Sequence, residues 1–120
     1  MIGASAASDF SNSFDGPIGS CRIAYLDGQY IIHPTYEQST ESTLSMVVSS
    51  SQDAILMVEA GANEVSEEVI LEAISMAQEA NSATIGLIEE LVKKIGKTKV
   101  KVDYDYAAAD AVVSKNLKRL

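Results

Sequence analysis

One stretch decides the fold of the strand region: SCRIAYLDGQYIIHP, at residues 20–34. Apolar side chains recur at every second position from Cys21 to Tyr25, which is the period of a β-strand. The dipeptide Asp27-Gly28 that follows is typical of a type I′ turn between two antiparallel strands. Pro34 has no N–H to give to a strand ladder, so the second strand should stop before it. The pattern predicts a hairpin of residues 20–26 with residues 29–33.

A second hairpin is predicted further along the chain. Residues 44–50 and 54–60 are rich in consecutive apolar side chains and are separated by the turn residues Ser51-Gln52-Asp53. Apolar residues at consecutive positions are typical of strands covered on both faces. The polar residues 35–42 between the two hairpins are predicted to form a loop.

One long helix should follow the strands, from about Glu67 to Ile95. Ser66 is a suitable N-cap residue, the acidic residues after it favour the first turn of a helix, and Gly96 is typical of a helix end. The sequence does not decide whether this helix is continuous or broken near Asn81 or Gly86. Two apolar stripes have helical spacing: Val69, Ile70, Ala73, Ile74, Ala77 and Ala80, then Ile85, Ile88, Val92 and Ile95.

The two ends of the chain complete an α+β fold class. Small residues at 3–8 predict the end of a close-packed helix, with a loop after it. Lys97–Val102 is interpreted as a basic connector, and a new helical unit begins from Asp103. One long helix cannot cover four strands on both faces, so the pattern implies either a partner or a larger fold.

Composition places the chain among small folded proteins. It has 120 residues, of which 47% are hydrophobic and 22% charged, with a net charge of −8. No apolar run approaches the roughly 20 residues that span a bilayer. We find no secretory leader pattern, and the single Cys21 cannot form an intrachain disulfide. A cytoplasmic protein without membrane contact is expected.

Charge is divided unevenly along the chain. Residues 1–92 hold fourteen acidic residues and one base, Arg22, for a net −13, whereas residues 93–120 carry a net +5. Nucleic-acid binding depends on Lys and Arg at phosphates. The candidate for phosphate contact is therefore the lysine cluster Lys93, Lys94, Lys97, Lys99 and Lys101, with the first three as the nucleic-acid contacts, although a basic helix end with a solvated linker is the commoner explanation.

Catalytic patterns are weak throughout the sequence. Cys21 and His33 could be read as a catalytic dyad. The commoner interpretation is that Cys21 is a buried packing residue and that His33 is a solvated histidine at a strand end. One His and one Cys cannot build a zinc site, and no carboxylates recur at calcium-loop spacing. The pairs Glu67-Glu68 and Glu89-Glu90 are interpreted as solvated helix surface. The segment Gly16–Gly19 leads into a strand, so it indicates a bend and not a phosphate loop.

Five ordered motifs resemble the bacterial polynucleotide phosphorylase family. The match is to the second half of its first RNase PH-like domain and the start of its all-helical linker domain, and it covers almost the whole chain. In order, the motifs are Ile2-Gly3-Ala4-Ser5-Ala6-Ala7, Gly16-Pro17-Ile18-Gly19 with Arg22, Tyr30-Ile31-Ile32-His33-Pro34-Thr35-Tyr36-Glu37, Met57-Val58-Glu59-Ala60-Gly61-Ala62 and Leu71-Glu72-Ala73-Ile74.

The resemblance implies a partial RNase PH-like domain at residues 1–96, made of two hairpins packed on a long helix, and the linker and first helix of an all-helical domain at 97–120. It implies a phosphorolytic 3′-to-5′ exoribonuclease that releases nucleoside diphosphates from single-stranded RNA, using inorganic phosphate and Mg²⁺. A homotrimeric ring and a degradosome-type assembly are the partners it suggests.

The catalytic residues of the family do not carry over to this chain. The family's phosphate-binding serines would lie upstream of Met1, and its metal-binding acidic positions fall on Thr43 and Ser45, which are neutral. The segment Ser49-Ser50-Ser51 also departs from the family's usual Ala-Gly-Thr. We therefore expect no catalytic, cofactor-binding or metal-binding residue, and no phosphate or Mg²⁺ bound by this segment.

Two alternatives remain open at this level. One is a non-catalytic subunit of an exosome-like RNase PH ring, which the helical residues after Asp103 disfavour. The other is an autonomous acidic protein-interaction module, which would be a folded monomer at 120 residues.

Overall fold

A computed structural model describes residues 1–11, 14–99 and 105–117 of the chain. The fold is α+β, as the sequence predicts, with a four-stranded antiparallel sheet and a long helix on one face. The elements in chain order are α1 (Ile2–Ser11), β1 (Gly19–Leu26), β2 (Gln29–Ile32), α2 (Tyr36–Glu41), β3 (Leu44–Ser50), β4 (Ile55–Ala62), α3 (Glu67–Ile95) and α4 (Ala107–Leu117).

Both predicted hairpins are confirmed. The strand order is β2-β1-β3-β4, and every neighbouring pair is antiparallel. Asp27 and Gly28 both have positive φ angles, of 50° and 78°, as a type I′ turn requires. The second hairpin contains a register shift at Ser49 and Ser50, and β4 continues two residues beyond its predicted end.

The predicted polar loop at residues 35–42 is wrong, because most of it forms the short helix α2. Thr35 and Gln38 make a reciprocal capping box: the Gln38 N–H donates to the Thr35 hydroxyl, and the Thr35 N–H donates to the Gln38 side-chain carbonyl. These two bonds satisfy N–H groups that would otherwise be unpaired at a helix start. The local capping signal therefore outweighs the polar composition.

The core lies between α3 and one face of the sheet. Alternate strand residues supply one side and residues four apart on α3 supply the other. The buried cluster consists of Cys21, Ile23, Leu44, Met46, Val48, Ala73 and Ala77. The hydroxyl of Tyr30 on β2 lies 3.0 Å from the Glu72 carboxylate and donates to it, which ties the sheet edge to the helix.

Helix α3 is continuous through Asn81 and Gly86, so neither residue breaks it. Asn81 is only 1% exposed, and its amide donates to the Val48 carbonyl at 3.1 Å and to the Ser50 hydroxyl at 3.0 Å. A Cβ on Gly19 would approach the Asn81 backbone oxygen to 2.8 Å. The asparagine is therefore a polar bridge that holds the middle of α3 against β1 and β3.

The ends of α3 follow the prediction in position and differ in detail. Ser66 is the N-cap residue, but its hydroxyl accepts no backbone N–H. The Glu68 carboxylate instead accepts from its own N–H and from the Ser66 hydroxyl, and both bonds lower the pKa of Glu68. At the other end Gly96 donates its N–H to the Val92 carbonyl, in a space that a Cβ would fill.

The predicted C-terminal helical unit is confirmed by α4, which starts at Ala107. Its predicted start at Asp103 lies outside the described residues, and so does part of the predicted connector 97–102. The division into domains at residues 96 and 97 stays a prediction. Within the described part of the chain, no helix is both long and apolar enough to cross a membrane.

Candidate functional site

The sheet face opposite α3, called here the open face, carries the candidate site. Two shallow depressions lie on it, of about 370 and 400 Å³, and they meet at Arg22 and Val47. The first is lined by Arg22, Ser45, Val47, Glu59, Ala60 and Gly61. The second lies between the start of α1 and the strands, and His33 and Ser20 are among its lining residues.

Strand register explains why these side chains meet. Arg22 on β1 is opposite Val47 on β3, and Val47 is opposite Glu59 on β4. Cross-strand partners lie on the same face of a sheet, so the three form one row across the open face. Arg22 and Glu59 are two strands apart, roughly 10 Å, and form no ion pair. The row therefore carries separated charges of opposite sign.

The donor set of the open face does not fit Mg²⁺. Glu59 is the single carboxylate in the first depression, and Ser45 beside it is neutral. Thr43, the other position implied by the resemblance, donates its hydroxyl and its N–H to the Tyr25 carbonyl. Magnesium requires near-octahedral hard oxygen ligands and is usually held by carboxylates. Among the described residues, no group of three His, Cys, Asp or Glu could hold a metal ion.

Cys21 and His33 do not form a dyad. The Cys21 thiol lies on the core side of the sheet, where its sulfur is 3.7 Å from the Ala77 carbonyl of α3. Burial raises the pKa of the Cys21 thiol, so the nucleophilic thiolate is disfavoured. His33 is exposed at the end of β2, and its backbone N–H donates to the Arg22 carbonyl. The geometry favours a packing cysteine, as the sequence indicated.

The three consecutive serines have structural partners. Ser49 hydrogen-bonds Ser20 across the open face, and Ser50 accepts from the Asn81 amide. The Ser51 hydroxyl accepts the Ala54 N–H and closes the turn between β3 and β4. Their hydroxyls therefore serve the fold of the hairpin and its contact with α3.

The basic candidates for RNA contact lie at the exposed C-terminal end of α3. Lys94 forms an ion pair with Glu90 one turn earlier, at 2.8 Å. Lys93 and Lys97 are exposed, and no ion pair involves them among the described residues. RNA contact by these three lysines stays a prediction.

An unpredicted contact anchors the segment after α3. Lys99 forms an ion pair with the nearly buried Asp9 of α1 and also donates to the Phe14 carbonyl at 2.8 Å. The Lys97 backbone N–H donates to the Phe10 carbonyl at 2.9 Å. Sequence reasoning missed Asp9 because ninety residues separate it from Lys99. The basic segment is thus partly used to hold the chain's own N-terminal helix.

Comparison with known proteins gives consistent matches. Residues 16–80 match the family model described as 3′ exoribonuclease family, domain 2. A polyribonucleotide nucleotidyltransferase of Persephonella marina is 47% identical over 106 residues, which is 88% of this chain and 15% of that protein. The one of Streptococcus mutans is 42% identical over 111 residues, covering 92% and 15%, and the one of Ruthia magnifica is 43% identical over 119 residues, covering 98% and 17%. The chain thus spans about a sixth of the length of these curated relatives.

Proposed function

The chain belongs to the 3′ exoribonuclease family, and from that premise we propose that it is a non-catalytic structural part of a phosphate-dependent 3′-to-5′ exoribonuclease. The whole enzyme would degrade single-stranded RNA to nucleoside diphosphates, with inorganic phosphate and Mg²⁺ as co-reactants. The family membership and the names of the relatives support a fragment of a polyribonucleotide nucleotidyltransferase. A homotrimeric ring and a cytoplasmic location are part of the proposal.

The observation that carries the non-catalytic role is the composition of the open face. Phosphorolysis needs charge stabilisation at a phosphodiester, and a divalent ion supplies much of it in such reactions. The first depression of the open face has one carboxylate, from Glu59, whereas holding a divalent ion usually takes more than one. The nearby hydroxyls of Ser20 and Ser49 hydrogen-bond each other. The residues of this chain can position and support a neighbouring site, but they do not assemble one.

The structural role is supported by the apolar surface that the chain leaves exposed. Four consecutive residues of β4, from Ile55 to Val58, expose between 38% and 56% of their surface. Leu71 and Leu87 on α3 expose 66% and 68%. Contiguous apolar surface of this kind marks contact with other protein. We expect the remainder of the enzyme to cover it.

A chimeric enzyme tests the proposal directly. The matching 106-residue segment of the Persephonella marina relative is replaced by the corresponding part of this chain, and ADP release from poly(A) with phosphate is measured. We expect a trimer by sedimentation and activity within a few-fold of the parent enzyme. Chimeras with Arg22→Gln or Glu59→Gln should keep the same kcat, since neither side chain contacts the reaction.

Two results would contradict the proposal. A correctly assembled chimera that loses ADP release on Glu59→Gln would place the chemistry on this face. A chimera that never assembles, although the chain itself is folded, would remove the structural role. Asn81→Asp, which puts a carboxylate into the α3 contact, is the control for a chimera that fails through misfolding.

RNA contact is tested in the same chimera. We propose that Lys93, Lys94 and Lys97 bind RNA phosphates in the whole enzyme. Reversal of all three to Glu should weaken RNA binding and reduce the salt slope by about one for each lysine that binds a phosphate. Arg22→Glu, on the open face, is the charge control for each of the three single Lys→Glu variants, since every one of them changes the charge by the same amount. An unchanged slope in the triple variant would assign the lysines to solvation of the helix end.

A further inference from the structure

The two edges of the sheet are built very differently. The β2 edge is four residues long and is followed by His33, in a left-handed conformation with φ of 55°, and then by Pro34. A short strand ended by proline is a common way of protecting a sheet edge from pairing. The other edge, β4, is eight residues long, and among the described residues it pairs with β3 alone.

Strand β4 has few of the usual protective features. It contains no proline and no lysine, its one charged residue is Glu59, and all eight of its residues are exposed. Helix α3 packs on β1 and β3 and leaves both faces of β4 uncovered. A long and largely apolar edge offers a row of N–H and C=O groups to another strand. The geometry of β4 is therefore suited to pairing with a further strand.

Glu59 defines what the neighbouring strand should carry. It ends the row that runs from Arg22 through Val47 across the open face, and it has no ion-pair partner among the described residues. A strand added to β4 would place a residue directly opposite Glu59, where a Lys or Arg is favoured. On the other face Val58 and Ala60 continue the core surface, so the alternate residues of that strand should be apolar.

We propose that the edge of β4 is a β-augmentation site for an extended polypeptide segment from outside these 120 residues, with apolar residues alternating with at least one Lys or Arg that pairs with Glu59. A second copy of β4 fits poorly, because β4 has no base to pair with Glu59. Residues 1–92 of two copies would also bring together two regions that each carry a net −13. The site rests on the structural role proposed above, because residues 55–58 of β4 belong to the surface that the remainder of the enzyme is expected to cover, and peptide binding tests it without measuring RNA degradation.

The test uses the full 120-residue chain and capped synthetic octapeptides. The probe alternates Val with Lys, and its matched control alternates Val with Glu. A third peptide keeps the Lys sequence but carries an N-methyl group on every residue, which removes the hydrogen-bond donors of both strand edges. Binding is measured by fluorescence anisotropy and located by NMR shifts of the backbone amides.

The Lys peptide should bind at least about tenfold more tightly than the Glu peptide, with shifts concentrated at residues 55–62. The N-methylated peptide should not bind. Glu59→Gln should weaken binding of the Lys peptide by about fivefold, and Glu59→Lys should turn the preference toward the Glu peptide. Glu79→Gln, an equal charge change on the exposed surface of α3, should have little effect.

Four results would overturn the proposal. Equal effects of Glu59→Gln and Glu79→Gln would mean that the peptide senses net charge alone. Shifts centred on β2, or unimpaired binding of the N-methylated peptide, would exclude strand addition at β4. A concentration-dependent dimer in sedimentation that Glu59→Lys leaves intact and that blocks the peptide would make a second copy the occupant.

Discussion

Replacing Asn81 with alanine should destabilise the chain by about 2 kcal/mol. The side chain is 1% exposed and donates to the Val48 carbonyl and the Ser50 hydroxyl. Losing a buried hydrogen bond costs about 1.5 kcal/mol, or about 3 kcal/mol for both. The Asn81 carbonyl oxygen is itself buried and has no hydrogen-bond partner among the residues that the structure describes, and its removal returns about 1 kcal/mol.

Urea unfolding followed by far-UV circular dichroism measures this loss. Ser82→Ala is the matched control, because the Ser82 hydroxyl bonds to the Gln78 carbonyl one turn earlier on the same helix. It should change the free energy of unfolding by less than about 0.5 kcal/mol. A double-mutant cycle of Asn81→Ala with Ser50→Ala should give a coupling energy of about 1 kcal/mol.

The reasoning would be refuted by an Asn81→Ala variant as stable as the Ser82→Ala control. It would also be refuted by a cycle with zero coupling, since that would mean that the two side chains do not support each other. Gly19→Ala approaches the same contact from the sheet. The added Cβ would lie 2.8 Å from the Asn81 backbone oxygen, so this variant should lose about 1 to 3 kcal/mol.

Three further predictions concern the ends of elements. His33→Val should lower the stability by about 1 kcal/mol in a thermal melt, because a β-branched residue is strained at the φ of 55° that His adopts here; an unchanged melting temperature would contradict this. The pKa of Glu68 is lowered in the folded chain, so its contribution to stability is present above the unfolded pKa and is lost as pH falls through the folded pKa. Glu68→Gln should therefore flatten that part of an acid-unfolding curve. An unchanged curve would show that the carboxylate does not stabilise the start of α3. Lys99→Ala should lower the free energy of unfolding in urea by about 1 kcal/mol, because it leaves Asp9 without its cation. The control Lys93→Ala should cause no measurable change. Equal effects of the two variants would exclude the ion pair as an anchor.

Local signals in the sequence were sufficient for most of the fold. The Asp27-Gly28 turn and the stop before Pro34 act through the backbone conformations that these residues favour. Gly96 acts through space, because a Cβ there would meet the Val92 carbonyl. The error at residues 35–42 was also local. The capping pair of Thr35 and Gln38 was present in the sequence but was outweighed by the polar composition of the segment.

The candidate site could be predicted only in part. The neutral residues at Thr43 and Ser45 indicated from sequence that the family's metal-binding positions lack carboxylates, and the absence of a metal site stays a prediction. The row of Arg22, Val47 and Glu59 could not be derived, because it depends on the register between three strands. A shift of one residue in either pairing, β1 with β3 or β3 with β4, would have placed Arg22 and Glu59 on opposite faces of the sheet.

By itself, the sequence determined the family and the type and order of every described element except α2, because turn residues, caps and apolar periodicity act over a few neighbouring positions. Tertiary structure alone decided which groups meet across the chain. It placed Asn81 against Ser50, joined Lys99 to Asp9, and left β4 as the uncovered edge of the sheet. Those contacts are set by how α3 crosses the strands and by the order of the strands, which no local pattern encodes.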